Sequence, residues 1–173
     1  MRKKKSVFFP VSLFFIVAWF CGFIQPAAGE TLNCKSESKI DVDHMDSLLL
    51  KPPKNFMYGD MKRVGSVSCD KEEPAKFFRC QTYVRTENGG MTQGITVLTF
   101  KDSSKIVMRY SQSQRPDPEK KVNWIYDATG EILNGNGRFE GIQGSVSISG
   151  KDLADIYRTE IQEMTITYTL PSK

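Results

Sequence analysis

The sequence predicts an all-β fold, a small antiparallel eight-stranded β-barrel preceded by an N-terminal signal peptide. Three observations carry that reading. Seven or eight short runs rich in β-branched and aromatic residues are separated by turn signals, with almost no helical periodicity. The last run sets Met164, Ile166, Tyr168 and Leu170 against Thr165, Thr167 and Thr169. Strand side chains have period two, so this segment has one apolar face and one hydroxyl-bearing face, and the apolar one must be buried. Finally, four glycines between Gly135 and Gly144 allow a compact turn before the alternating run Ser145 to Ser149. Closing the sheet removes edges that Thr-, Ile- and Val-rich strands would leave open to aggregation.

The chain of 173 residues opens on Arg2-Lys3-Lys4-Lys5, runs apolar from Val7 to Ile24, and reaches the small residues Ala27-Ala28-Gly29. This is the layout of an export signal, with cleavage expected after Gly29 and a secreted or periplasmic destination. The rival reading is an uncleaved anchor, since 18 residues come close to a bilayer span. A membrane role follows only in that case. Four of the 24 Lys+Arg precede Gly29 and no Asp or Glu does, so the mature chain carries 20 basic and 20 acidic residues. A balanced chain of this kind gives no footprint for nucleic acid. The remaining residues suit one domain, divided as signal peptide 1–29, polar N-terminal extension 30–55 and barrel 56–171.

Within the extension, Ser47-Leu48-Leu49-Leu50 is the one apolar cluster. Asp41, Asp43, His44 and Asp46 match neither calcium-loop nor zinc spacing, so no metal and no cofactor are expected. The mature part keeps Cys34, Cys69 and Cys80, an odd number that allows one internal bridge and three pairings. A hairpin turning near Pro74-Ala75 favours Cys69 with Cys80.

The strand pattern then continues. Met61, Arg63, Gly65 and Val67 share a face, as do Phe77, Arg79, Gln81 and Tyr83, with Phe78 and Cys80 opposite. Asn88-Gly89-Gly90 turns the chain, and Ile95 to Phe100 with Ile106 to Tyr110 reads as a hairpin. Gln112 to Lys121, with two prolines, reads as a long exposed loop. Val122 to Tyr126 resumes the sheet, and Gly137, Phe139, Gly141, Ile142 and Gly144 are expected to plug one barrel end. A dinucleotide site does not fit that glycine unit, because a strand rather than a helix follows it.

Tyr126-Asp127-Ala128-Thr129-Gly130, the stretch Gly135 to Ser145, and Tyr168-Thr169-Leu170-Pro171 resemble bacterial secreted proteins of the allene oxide cyclase and dirigent barrel-like superfamily. The resemblance covers Phe56 to Pro171. It implies an eight-stranded antiparallel barrel, often oligomeric in the plant relatives. No local motif receives the cyclase's acidic residue or the dirigent pocket.

No catalytic residues are assigned, since a single histidine gives no nucleophile constellation. An eight-stranded barrel holds packed side chains or one small ligand. Phe100, Tyr110, Trp124, Tyr126 and Tyr168 are the candidate lining for a small apolar ligand, and the alternative is that they are simply core. Three functions stay open: a non-catalytic exported barrel with such a ligand, a solid barrel forming a homo-oligomer, and a cyclase- or isomerase-like enzyme.

Overall fold

The structure is a computed structural model that describes residues 29–44, 57–72, 75–86, 88–154 and 158–171. Eight strands follow one another in the chain as β1 Glu30–His44, β2 Met57–Cys69, β3 Ala75–Thr86, β4 Gly89–Thr99, β5 Lys105–Pro116, β6 Trp124–Asn136, β7 Gln143–Asp152 and β8 Glu160–Thr169. Each pairs antiparallel with its neighbour, and β1 pairs with β8, so the sheet closes as an all-β barrel.

Two expectations change at this level. Residues 30–44 are the first wall strand rather than an extension, because Leu32, Cys34, Ser36 and Ser38 alternate inward even though two of these four are serines. The expected loop from Gln112 is also shorter, since β5 carries Gln112 and Gln114 inward and ends at Pro116. The signal segment through residue 28 and the leucine cluster at 48–50 lie outside the described residues.

The register also corrects the disulfide. The β2–β3 pairing sets Val67 opposite Ala75 and Lys62 opposite Cys80, so the turn is centred near Lys71, upstream of Pro74. Cys69 then lies beyond the last β3 partner, and Cys80 sits far along the strand with its thiol free and exposed on the outer wall. Across the other seam Cys34 stands directly opposite Cys69, and these two form the bridge.

Inside the barrel, one end is apolar and closed. A single 3-10 turn, Gly137–Phe139, places Phe139 in contact with Phe100 at a 5.0 Å ring separation and edge-on to Tyr168 at 6.3 Å. Gly137 and Gly141 hold φ values of +62° and +75°, which L side chains rarely adopt, and this lets the loop fold back. Phe139 and Ile142 are buried with Leu98, Ile106, Val146 and Ile166 in one core. Full burial of each such side chain contributes about 1.5–3 kcal/mol.

Toward the other end most inward rows turn polar, although Met61 on β2 and Ala128 and Tyr126 on β6 stay apolar or aromatic there. β8 runs from Tyr168, Ile166 and Met164 to Gln162 and Glu160, β3 from Phe77 to Arg79 and Gln81, and β5 from Ile106 and Met108 to Gln112 and Gln114. The barrel interior therefore has an oily half below and a polar half above.

Candidate functional site

The polar half is built around two arginines that the strand period forces inward. Arg79 on β3 is fully buried. It donates from Nη1 to Glu160 Oε1 at 2.6 Å, from Nη2 to Gln162 Oε1 at 2.6 Å and from Nε to Thr96 Oγ1 at 3.2 Å. Its guanidinium lies over the rings of Phe77 and Tyr110, at 5.1 and 4.5 Å. Burial acts to lower its pKa, but the Tyr110 ring face and the Glu160 carboxylate outweigh burial and hold it firmly protonated.

Arg63 on β2 supplies the second cation. Its Nη2 meets Asp152 Oδ1 at 2.9 Å, its Nε lies 3.2 Å from Glu160 Oε2, and its Nη1 donates to the Arg158 carbonyl at 2.8 Å. That last bond ties the β7–β8 connection across the barrel mouth. Asp152 is pushed up to about 6, first by burial and then by the neighbouring Glu160, with Arg63 pulling the other way. Burial also raises the Tyr110 and Tyr126 hydroxyls well above the ordinary tyrosine range, so both stay neutral donors. Tyr110 uses its proton on Gln81 Oε1 at 2.6 Å. Arg85, nearer the mouth, stands 5.1 Å from both the Tyr83 and Trp124 rings.

Besides the Tyr126 hydroxyl, six side chains buried in this half carry polar atoms with no hydrogen-bond partner among the described residues. They are Ser36 Oγ and Ser38 Oγ on β1, Gln162 Nε2 on β8, Thr92 Oγ1 on β4, and Gln112 Oε1 and Gln114 Nε2 on β5. Leaving a buried group of this kind unsatisfied costs about 1–3 kcal/mol. The set contains donors, acceptors and hydroxyls that act as either.

The five aromatic candidates do not gather into one lining. Phe100 and Tyr168 pack on the plug at the closed end, where the Tyr168 hydroxyl donates to Glu30 Oε2 at 2.9 Å. Tyr110 and Tyr126 are walls of the polar half, and Trp124 is half-buried at the mouth. Sequence reasoning placed Arg63, Arg79 and Gln81 on their correct faces without treating them as site residues. It weighed Glu160 only as one of several carboxylates, with Asp102, Asp127, Glu131 and Glu140, that could meet in space but read as solvated, and it passed over Gln112, Gln114, Asp152 and Gln162. The available signal was parity: each of these polar residues lies an even number of positions from an apolar residue of the core.

Among the described residues no group of three His, Cys, Asp or Glu side chains is placed to hold a metal ion. No protein-family model and no curated protein matches the sequence. Among solved structures, the chain is similar to a pterocarpan synthase dirigent protein, with a TM-score of 0.50 over 81% of this chain and 88% of that one. The fold is that of a dirigent-like barrel. At 13% identity the likeness extends to the fold and no further.

Proposed function

We propose that the protein is an exported binding barrel that takes up a small molecule in the polar half of its interior. The six buried hydrogen-bonding atoms without protein partners support this reading above all. They line facing walls, β8–β1 on one side and β4–β5 on the other. Protein interiors satisfy nearly all their buried polar groups, so an unmet set concentrated in one half is what a site for a polar guest looks like.

The lining redirects the ligand class. Hydroxyl and amide groups beside tyrosine rings suit a compact cyclic molecule bearing hydroxyl or carbonyl oxygens, rather than the purely apolar guest expected from the aromatic residues. Export is supported by the basic and apolar N-terminal pattern and by the Cys34–Cys69 bridge, which persists in an oxidising compartment. Kinship with the exported allene oxide cyclase and dirigent barrel-like proteins rests on the Gly135 to Ser145 motif together with the shared fold.

A second reading, acid–base catalysis of a cyclisation or isomerisation, is favoured by the single observation that the Asp152 carboxyl is raised to about 6 beside Arg63. The two readings separate experimentally. Native mass spectrometry on protein isolated from the export compartment identifies what is bound. Thr92→Val and Gln112→Met remove the unmet groups at nearly constant shape, and each is expected to raise the unfolding free energy by about 1 kcal/mol while abolishing capture. Capture at wild-type affinity by both variants would count decisively against the binding site. Conversion of the bound molecule that is lost in Asp152→Asn establishes the catalytic reading.

A further inference from the structure

The outer wall carries a feature that the interior does not explain. Eight large hydrophobic side chains of the described residues are exposed, and six of them, Tyr58, Val64, Phe78, Val84, Met91 and Ile95, lie on the neighbouring strands β2, β3 and β4. The register arranges this face in rows across the strands. Val64, Phe78 and Val97 form one apolar row, and Tyr58, Val84 and Met91 form another nearer the mouth. Between them run two more rows, Lys62–Cys80–Ile95 and Asp60–Thr82–Gln93. The face is thus two apolar bands about 20 Å apart, at about 3.3 Å per residue, separated by a strip with a cation on one row and an anion on the next.

This order has an internal symmetry. A two-fold axis lying in the face, perpendicular to the strands and level with Gln81, exchanges the two bands and exchanges the two middle rows. A second copy docked about that axis sets Phe78 against the partner's Val84, Val64 against the partner's Tyr58, and Val97 against the partner's Met91. It also sets Lys62 against the partner's Asp60, and Asp60 against the partner's Lys62. The shape agrees with the charges, because Tyr58, Val84 and Met91 form one side of a hollow of about 500 Å³ that extends to the β3–β4 turn at Gly89 and Gly90, and the partner's Phe78 arrives on that side. Self-complementarity of this kind is what an isologous interface requires.

We propose that the β2–β3–β4 outer face is a homodimer interface with this two-fold geometry. The occupant is a second copy of the chain because the patch carries its own complement in both shape and charge. The contact is confined to three strands of a convex wall, so its area lies at the small end of specific interfaces, and a weak dimer is expected.

Sedimentation velocity between about 1 and 300 μM tests this on full-length mature protein. Wild type is expected to pass from monomer to dimer over that range, and Met91→Glu to remain monomeric. Lys62→Asp and Asp60→Lys each place like charges across the axis and are expected to weaken the dimer at least about tenfold. The double exchange Lys62→Asp with Asp60→Lys is expected to return it to within about threefold of wild type. All these positions are exposed, and an unchanged circular dichroism melt verifies folding.

Cys80 gives an independent reading. The geometry brings the two Cys80 Cα atoms to about 12 Å, from a two-residue offset and a face separation of about 10 Å. A bismaleimide of that span is expected to join wild-type subunits and to leave Met91→Glu unjoined. A wild type that stays monomeric at every concentration overturns the proposal. So do an assembly larger than a dimer, association that Met91→Glu leaves intact, and a double exchange no better than the single ones. Monomer that instead co-sediments with phosphatidylglycerol vesicles through Met91 overturns it in favour of a lipid surface.

Discussion

Replacing Glu160 with glutamine removes the negative charge that two buried arginines share. Arg79 Nη1 and Arg63 Nε lie 2.6 and 3.2 Å from its two carboxylate oxygens, and the side chain is 2% exposed. Two unit charges 4 Å apart interact by about 4 kcal/mol at an effective dielectric of about 20. After the substitution Arg79 remains fully buried with uncharged partners, among them Gln162, Thr96, Tyr126 and two ring faces, while Arg63 still holds Asp152. Breaking a buried pair from one side costs about 3–5 kcal/mol. That is a large share of the roughly 5–15 kcal/mol that holds a domain folded. Arg79→Met is expected to cost a similar amount, because two carboxylates then share Arg63. The double variant Arg79→Met with Glu160→Leu removes both charges and leaves the Arg63–Asp152 pair balanced, so its cost is expected to fall to about 1–2 kcal/mol. Equilibrium urea unfolding near pH 7.5 with the disulfide intact measures all three, and the cycle gives the coupling directly. Glu160→Gln within 1 kcal/mol of wild type, or a double variant as unstable as the two single ones combined, refutes the reasoning.

Other consequences follow from other parts of the barrel. Phe139→Ala empties the closed end and is expected to cost about 3–5 kcal/mol, read as a lower melting temperature. The Cys34–Cys69 bridge closes a loop with a sequence separation of 35. Replacing both cysteines by alanine is expected to cost about 3–4 kcal/mol, while Cys80 in the unmodified mature protein reacts with a thiol reagent without denaturant. Asp152 titrates near 6 when folded and near 3.8 otherwise, so the folded state binds the proton more tightly. Its contribution to stability is therefore greatest below 3.8, declines as pH rises toward 6, and is absent above. The change is on the order of 3 kcal/mol and disappears in Asp152→Asn. Asp70, Asp102 and Asp117 act oppositely, since hydrogen bonds hold their carboxyls below the ordinary value and that support is lost under acid.

Much of the barrel was legible because alternation is a direct imprint of strand geometry. β8 shows it plainly: the apolar Met164, Ile166 and Tyr168 point inward and the threonines outward. β1 was missed for the complementary reason. Its inward residues include Ser36 and Ser38, so hydrophobicity does not mark the buried face where the interior itself is polar. The same effect hid the site. Glu160 and Gln162 continue the β8 alternation toward the mouth, yet in a sequence they read as solvated residues before a strand. The disulfide failed on a turn position, where a shift of the β2–β3 turn by a few residues moves Cys80 away from Cys69. Contacts between distant strands, such as Arg63 with Asp152, leave no local trace.

The division of the interior into an apolar floor and a polar binding half is tested most directly by a high-resolution crystal structure of protein taken from its own producing cells. The account predicts density for an organic molecule hydrogen-bonded to Thr92, Gln112, Gln114 and Gln162. Side chains repacked to satisfy one another, with no room left between those four residues, would contradict it.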